Sequence, residues 1–338
     1  MQSRAEKIKI YLIEQIPKHP KTIVMMAAQK FSVTRTTIHR HLNTLLKEKK
    51  IIKSGSTRQI SYFLATEKNK EFQFSVTAKL SESEVWEKYM FPLFQKLSNE
   101  IQAILQYGFT EIFNNAIDHS ETNSIAVSIY WTDKKLSLKI QDNGIGVFER
   151  IKRTYHFQDP KECLLHLTKG KLTTDPLRHS GEGLFFTSRA FDTFYLKANG
   201  LLFLRDNKLD DWTFAETDLF TGTAITMEID LNSTRKLINI FNKYTELEDF
   251  SFNKTDLLVD LSLLSGENLI SRSQAKRILE RLESFQSITL DFSKVTSVGQ
   301  GFVDEIFRVY SLKNPHVKIN YINANDAVEF MIRRGIPS

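Results

Sequence analysis

The stretch whose residues are best suited to chemistry is Asp142-Asn143-Gly144-Ile145-Gly146, which follows an alternating strand. Leu136, Leu138 and Ile140 share one face of that strand. Asp142 continues their phase, so its carboxylate should point inward, where it needs a partner because an unpaired charge is costly to bury. The two glycines allow a sharp turn and leave room beside the backbone. The stretch therefore indicates the floor of a small-molecule pocket, although the same residue types are common in plain hairpin turns.

A second group of polar side chains falls on a long helical pattern over residues 84–120. Glu111, Asn115 and then Asp118 or His119 lie on one face of that pattern, three or four residues apart. An acid and a carboxamide one turn apart on a helix could hold a hydrated Mg²⁺ and orient a water molecule. Taken alone, such a pair is more often solvated surface.

Two further glycine-rich turns follow along the chain. Gly181-Glu182-Gly183-Leu184 opens a helix, and Gly222-Thr223 precedes a strand. A glycine-rich turn at a helix N-terminus is a natural phosphate cradle. The segment between the first two glycine turns, residues 147–180, is predicted as a long loop, and loops of that length are usually functional or disordered. It contains several polar and basic residues, namely His166, Lys169, Lys171, Thr173, Thr174, Arg178 and His179.

These four stretches, in this order, resemble the nucleotide-binding domain shared by gyrase-type topoisomerases, heat-shock chaperones, sensor histidine kinases and mismatch-repair ATPases, the GHKL superfamily. The resemblance spans most of residues 75–232. It implies an α/β sandwich in which helices cover a mixed or antiparallel sheet, and it implies ATP and Mg²⁺ as ligands. Asn115 would ligate Mg²⁺, and Glu111 would be the general base. Asp142 would accept a hydrogen bond from the adenine amino group.

The remaining nucleotide-binding positions implied by the resemblance belong to the glycine turns; they are Gly144, Gly146, Gly181, Gly183, Leu184 and Thr223. No histidine has the acidic and proline neighbours of a phosphoacceptor box, so a two-component sensor kinase is not expected. The presence of Glu111 favours hydrolysis, or transfer to a hydroxyl group as in the anti-sigma-factor serine kinases.

The elements that must position these residues belong to a chain of 338 residues, long enough for two or three domains. The single cysteine, Cys163, excludes an intrachain disulfide and a cysteine-rich zinc site. The first residues do not resemble a secretory leader, and no apolar run approaches the length of a membrane span. We therefore expect a cytoplasmic protein without a membrane partner.

The positive charge is concentrated in the first segment, residues 1–66, which carries 13 Lys or Arg against 3 Asp or Glu. Helical patterns over 8–16, 22–30 and 35–49 are followed by a predicted β-hairpin with a basic tip, and Thr34 is a good N-cap for the third helix. This order resembles a winged helix-turn-helix domain, whose third helix enters the DNA major groove. The alternatives are a solvated basic face and a dimerisation module.

On the third helix of this segment, Ile38, Leu42, Leu45 and Leu46 form the inward stripe. The residues predicted to contact DNA lie on the opposite face and at the hairpin tip; they are Thr36, His39, Arg40, Asn43, Lys47 and Arg58. Arg40 and Lys47 suit phosphate, whereas Asn43 and His39 suit base edges.

Strands alternate with helices over residues 248–338, which predicts a small α/β domain. The stretch from Leu290 to Gly299 resembles the STAS-like domains of anti-sigma-factor antagonists, which present a serine that a partner kinase phosphorylates. Gln300 or Gly301 stands at the corresponding position, and neither accepts phosphate. Nearby hydroxyl groups at such a turn are usually helix N-caps.

The sequence as a whole predicts an α+β multidomain protein divided at residues 1–66, 75–232 and 248–338. Its expected role is an ATP-binding regulator that couples the middle domain to DNA binding, with the STAS-like domain docking a protein partner. The alternatives are a serine/threonine kinase acting on a STAS-type partner and a nucleotide-dependent scaffold without turnover. Homodimers are common in the family that the middle domain resembles, but no heptad run requires one.

Overall fold

The computed structural model is an α+β fold with several sheets. It describes residues 4–17, 19–48, 50–54, 60–64, 69–132, 134–157, 160–172, 181–246, 251–259 and 269–335. Contacts within the chain define two compact units, one formed by Met1–Glu71 with Ser128–Leu136 and the other by Phe72–Val127 with Ser137–Ser338. Among the helices in the described residues, none combines the length and apolar character needed to cross a membrane.

The N-terminal unit contains three helices and a two-stranded antiparallel sheet; these are α1 (Arg4–Gln15), α2 (Ile23–Phe31), α3 (Arg35–Lys47), β1 (Ile51–Ser54) and β2 (Ser61–Leu64). Thr34 caps α3 as predicted, since its hydroxyl accepts a hydrogen bond of 3.2 Å from the Thr37 N–H. The predicted inward residues Ile38, Leu42 and Leu45 are fully buried in the core of this unit.

The middle part of the chain forms a seven-stranded sheet with the order β3-β4-β5-β9-β6-β7-β8. Its strands, in chain order, are β3 (Lys70–Ser75), β4 (Ser124–Trp131), β5 (Lys135–Asp142), β6 (Thr193–Ala198), β7 (Leu201–Asp206), β8 (Asp211–Glu216) and β9 (Thr223–Asp230). Burial alternates residue by residue along β4 and β5. The predicted inward phase that ends at Asp142 is therefore observed.

The helices of this region are α4 (Glu82–Val85), a π-helical turn (Trp86–Met90), α5 (Phe91–Phe94), α6 (Asn99–His119), α7 (Val147–Tyr155), α8 (Pro160–Lys169), α9 (Gly183–Ala190) and α10 (Leu237–Tyr244). Helices α6 and α9 pack on each other and on the central strands β9 and β6. The helical pattern predicted over residues 84–120 is interrupted between α5 and α6, and Pro92 lies in the first turn of α5, where proline is tolerated.

The C-terminal part contains a parallel sheet of three strands, β10 (Lys254–Leu258), β11 (Ser287–Asp291) and β12 (Lys318–Ile322). Its helices are α11 (Arg272–Leu279), α12 (Gln300–Asp304) with a π-helical turn (Glu305–Tyr310), α13 (Ser311–Lys313) and α14 (Asp326–Gly335). The α/β alternation predicted from the sequence is confirmed here.

The C-terminal domain shares its hydrophobic core with the preceding region. Phe185 and Phe186 of α9 and Tyr244 of α10 belong to the same buried cluster as Ile288 and Leu290 of β11. Phe252, just before β10, lies 4.6 Å from Phe185 and 5.0 Å from Phe186 between ring centroids. The core therefore runs continuously from α9 into the parallel sheet.

Candidate functional site

A cavity of about 380 Å³ lies in the second unit, where the predicted stretches meet. Seven of the site residues predicted from the sequence line this cavity, namely Glu111, Asn115, Asp142, Gly181, Gly183, Leu184 and Thr223. The apolar part of the wall is contributed by Ile112, Ala116, Ile140, Val147, Ile151, Leu172 and Ile225. Segments far apart in the sequence thus place polar groups in one apolar-walled cavity, the usual construction of a small-molecule site.

Asp142 is buried in the floor of this cavity, with 4 % of its surface exposed. Its Oδ1 atom accepts hydrogen bonds from the Gly144 N–H, at 2.9 Å, and the Thr223 N–H, at 3.1 Å. Burial raises the pKa of the Asp142 carboxyl above its ordinary value, and these hydrogen bonds oppose part of the rise. One carboxylate oxygen is thus occupied by the backbone and fixes the orientation of the group.

The turn that carries Thr223 is pressed directly against Asp142. Gly222 has a φ of +91°, and a Cβ atom at this position would lie 2.2 Å from the Asp142 carbonyl oxygen. The Thr223 hydroxyl accepts a hydrogen bond of 3.0 Å from the Val147 N–H, at the start of α7. Three segments are therefore tied together at the cavity floor.

We expect Gly222→Ala to destabilise the protein by about 2–5 kcal/mol, which combines about 1–2 kcal/mol for a left-handed alanine with about 1–3 kcal/mol for overpacking. Gly200→Ala is a matched control, because Gly200 also has a positive φ, +79°, yet its Cβ would meet its nearest neighbour at 3.4 Å. Urea unfolding measures the difference, and equal losses in both variants would contradict the close packing at Asp142.

Glu111 and Asn115 both line the cavity from α6, and His119 lies one turn further along the same wall. Asp118 is exposed and does not line the cavity, so His119 is the third member of the face. The Glu111 carboxylate lies against the start of α9, because a Cβ on Gly183 would be 1.9 Å from Glu111 Oε2. The glycine thus makes room for the acid.

Gly144 and Gly146 do not line the cavity; they shape the turn beneath it. A Cβ on Gly144 would lie 1.8 Å from the Ser120 carbonyl oxygen, and Gly146 has a φ of +85°. The side chain of Asn199 holds this turn from the β6–β7 connection. It donates to the Ile145 carbonyl at 2.9 Å and accepts from the Glu149 N–H at 3.2 Å.

Two residues near the cavity were missed by reasoning from sequence. Arg150 lines the cavity from α7 and forms an ion pair of 2.6 Å with Glu121. Burial and the nearby charges of Glu111 and Glu182 raise the pKa of Tyr107. Tyr107 lies one helical turn before Glu111, and this spacing was the one signal that could have identified it.

The segment between the first two glycine turns differs from the predicted loop, because it contains the helices α7 and α8. Both helices have apolar residues at helical spacing, among them the buried Phe148, Ile151 and Leu164. The predicted basic residues Lys169 and Lys171 donate to backbone carbonyls of the C-terminal domain. Four other residues of this segment lie outside the described residues, namely Thr173, Thr174, Arg178 and His179.

Mg²⁺ prefers oxygen ligands and keeps several bound waters. Among the described residues, no cluster of three or more His, Cys, Asp or Glu side chains could hold a metal ion. Asn115 and Glu111 supply oxygen atoms on one wall of the cavity. This set fits a Mg²⁺ ion whose other ligands are phosphate oxygens and water.

In the N-terminal unit, the predicted DNA-contacting residues of α3 are all exposed; they are Thr36, His39, Arg40, Asn43 and Lys47. His41, on the same helix, faces the core, and burial together with Arg40 and Lys9 lowers its pKa. The His39 ring lies 3.4 Å from the hydroxyl of Tyr62 on β2. Arg58, at the predicted hairpin tip, lies outside the described residues.

In the C-terminal domain, Gln300 begins α12 and Gly299 precedes it as the N-cap residue. Thr296 and Ser297 are exposed in the preceding turn, and neither is the cap of α12. Gln300 and Gly301, at the positions predicted from the sequence to correspond to the antagonist serine, thus lie in the first turn of α12 and carry no hydroxyl group.

A family model described as a STAS-like domain of unknown function (DUF4325) matches residues 274–329. A STAS-like domain is thus found in the C-terminal part of the chain, over residues 274–329, which supports the predicted resemblance. No curated protein matches the chain. One similar solved structure is an IcIR transcriptional regulator from Alicyclobacillus acidocaldarius, with 12% identity over 72% of this chain and 96% of that chain. The TM-score of 0.17 is too low for this likeness to support an argument.

Proposed function

We propose that this chain is an ATP-binding transcriptional regulator with a GHKL-type middle domain. The observation that carries the proposal is the meeting of Glu111, Asn115, Asp142 and the second and third glycine turns in one cavity of about 380 Å³. That volume is within the range of small-molecule sites, about 300–1,000 Å³. The proposed division of the chain remains 1–66, 75–232 and 248–338.

In this proposal Asp142 accepts a hydrogen bond from the adenine amino group through the carboxylate oxygen that the backbone leaves available. Gly181 and Gly183 would present backbone N–H groups to the phosphates at the start of α9. Asn115 would hold Mg²⁺, which would neutralise phosphate charge, and Glu111 would orient and deprotonate a water molecule. The burial of Asp142 supports this assignment, because an apolar-walled acid suits the exocyclic amine of a purine.

The N-terminal domain would bind DNA through the exposed face of α3. The excess of positive charge in residues 1–66 supports a polyanionic partner. ATP can shift the affinity for DNA only if it binds the DNA-bound and free forms with different affinities. An operator selected from random DNA and titrated with and without Mg-ATP tests the coupling, and identical affinities would remove it.

Within that titration, Asn43→Ala should cost about 1–3 kcal/mol on the selected operator and little on random DNA, because a carboxamide reads base edges. Lys47→Ala should weaken both sequences alike and reduce the salt slope by about one. Lys7→Ala removes the same charge from an exposed site on α1 and serves as the control. The predicted docking of α3 would be contradicted if Lys47→Ala lowered the affinity for the operator alone and Asn43→Ala left that affinity unchanged.

A second candidate function is a serine/threonine kinase acting on a STAS-type partner. The presence of Glu111 in the cavity wall favours turnover over a non-hydrolysing scaffold, since binding alone needs no base. Gln300 and Gly301, in the STAS-like domain of this chain, cannot accept phosphate, so the substrate of such a kinase would be another protein. Labelled ATP separates the functions, because a kinase leaves phosphate on protein whereas an ATPase releases it and a scaffold does neither.

A further inference from the structure

The end of α8 is anchored on the C-terminal domain through Lys169, whose residue exposure is 1 %. Its ammonium group donates to the carbonyl oxygens of Arg277, at 3.1 Å, and Glu280, at 2.9 Å. These carbonyls lie at the C-terminal end of α11, where backbone oxygens lack partners within the helix and a cation is favourable. A buried lysine therefore caps a helix of the STAS-like domain.

Two further contacts extend this anchor over the next residues. The Lys169 carbonyl accepts a hydrogen bond of 2.7 Å from the hydroxyl of Thr255 on β10. Lys171 donates to the Ser284 carbonyl at 2.9 Å and lies 4.5 Å from the centre of the Phe285 ring. Between the two lysines, Gly170 has a φ of +81° and would place a Cβ 2.6 Å from Phe252. The segment 169–171 is thus held on both sides.

The same segment leads directly into the cavity, because Leu172 is one of the lining residues. The Leu172 backbone is packed against the second glycine turn, since a Cβ on Gly181 would lie 2.7 Å from its nitrogen and carbonyl carbon. Gly181 lines the cavity as well. The wall of the cavity and the anchor on the STAS-like domain are therefore adjacent along the chain.

We infer that the STAS-like domain holds one wall of the nucleotide cavity in place through Lys169 and Lys171, which act as positioning residues for Leu172 and Gly181. The inference rests on the proposed function and names the part of the protein that responds to nucleotide. Because coupling between two binding equilibria is reciprocal, nucleotide should stabilise the anchor to the same extent that the anchor strengthens nucleotide binding.

The energetic balance of the anchor supports a contact that can open. Burial lowers the pKa of Lys169 to about 7, while the charge of Glu280 acts in the opposite direction. Desolvation of the ammonium group thus offsets part of the gain from its two hydrogen bonds. Because desolvation reduces the net stabilisation from this contact, a ligand in the neighbouring cavity can shift the balance between its closed and open forms.

The reactivity of Cys163, the single cysteine of the chain, can report on this anchor. Its thiol is fully buried on α8 and donates to the Phe148 carbonyl on α7 at 3.4 Å. A disulfide reagent such as 5,5′-dithiobis(2-nitrobenzoic acid) can react with it only when the α7–α8 segment opens. In this thiol exchange the Cys163 thiolate attacks the reagent disulfide, forms a mixed disulfide and releases one thionitrobenzoate anion.

We expect Lys169→Met and Lys171→Met in the full chain to raise the reaction rate of Cys163 at least about tenfold, because each loses charge-assisted hydrogen bonds. Mg-ATP should slow the reaction in the unsubstituted protein, and both variants should bind ATP at least about tenfold more weakly. Lys152→Met changes a lysine of α7 and is the matched control. Thr255→Val, which removes one hydroxyl from β10, repeats the test if a lysine variant fails to fold.

The outcomes separate this inference from the proposed function. Unchanged Cys163 rates and unchanged ATP affinity in the lysine variants would overturn the inference while leaving ATP binding established. Faster Cys163 reaction in those variants, together with no ATP binding by any of the proteins, would support the anchor and overturn the proposed function. Slower reaction with Mg-ATP in the unsubstituted chain, lost in the lysine variants, would support both.

Discussion

Replacing Asp142 with asparagine is expected to lower ATP affinity by about 10- to 100-fold, because an opposed donor left buried costs about 1–3 kcal/mol. The reason is geometric. The Gly144 and Thr223 N–H groups both donate to Oδ1 of Asp142. The asparagine oxygen must keep that place, so the amide NH₂ group would turn toward the cavity and oppose the adenine amino group. Isothermal titration with Mg-ATP measures the loss.

The pH dependence of binding provides the control for this variant. Burial raises the pKa of the Asp142 carboxyl, so the folded protein without ligand binds this proton more readily than the unfolded chain does. This contribution to stability is present below the unfolded value of about 3.9 and is lost as pH rises through the folded value. On acidification, ATP affinity should therefore begin to fall at a pH above the usual pKa range of aspartate, because protonated Asp142 is a poorer acceptor, and Asp142→Asn should not show this fall. Equal ATP affinities of the unsubstituted protein and Asp142→Asn at neutral pH would contradict the adenine contact.

Replacing Glu111 with glutamine is expected to reduce ATP turnover by about 10²–10⁴-fold, the usual contribution of a general base. Binding should be retained, because glutamine fills the same space beside Gly183. Phosphate release in single-turnover experiments measures the first effect and titration the second. Asp118→Asn is the matched control, since Asp118 is an exposed acid of the same helix that does not line the cavity.

Turnover that persisted in Glu111→Gln would assign the base to another group of the cavity. His119 is one alternative, since it lines the same cavity. Absence of turnover in the unsubstituted protein, with ATP binding intact, would instead favour the scaffold.

The sequence pattern correctly predicted buried positions in elements where apolar residues recur at regular strand or helix spacing. The phase of β5 gave the inward position of Asp142, and the helical stripe of α3 gave its buried residues. Two strands were missed, β3 and β8, and both are the outermost strands of the seven-stranded sheet. Edge strands carry charged residues that weaken the alternation, as Lys70 and Asp211 do at the starts of these two.

The sequence identified the separate stretches that line the cavity. It did not identify the side chains that hold those stretches in place. Arg150 lines the cavity from α7 and Asn199 holds the glycine turn from the β6–β7 connection, and no local pattern marks either residue. Lys169 and Lys171 bind carbonyl groups that lie 108 and 113 residues later in the chain, so spacing alone could suggest only a phosphate ligand. Such long-range pairs follow from tertiary packing, which a single sequence does not encode in a readable period.

The continuous core between α9 and the parallel sheet limits how this protein could be reassembled in evolution. Phe185 and Phe186 face Phe252 inside that core. A recombination that transferred the STAS-like region alone would uncover the sides of both rings that face Phe252, at a cost of up to about 1.5–3 kcal/mol each. We therefore expect the cavity-bearing half to be inherited together with its C-terminal neighbour, while the basic helices at the start have a core of their own.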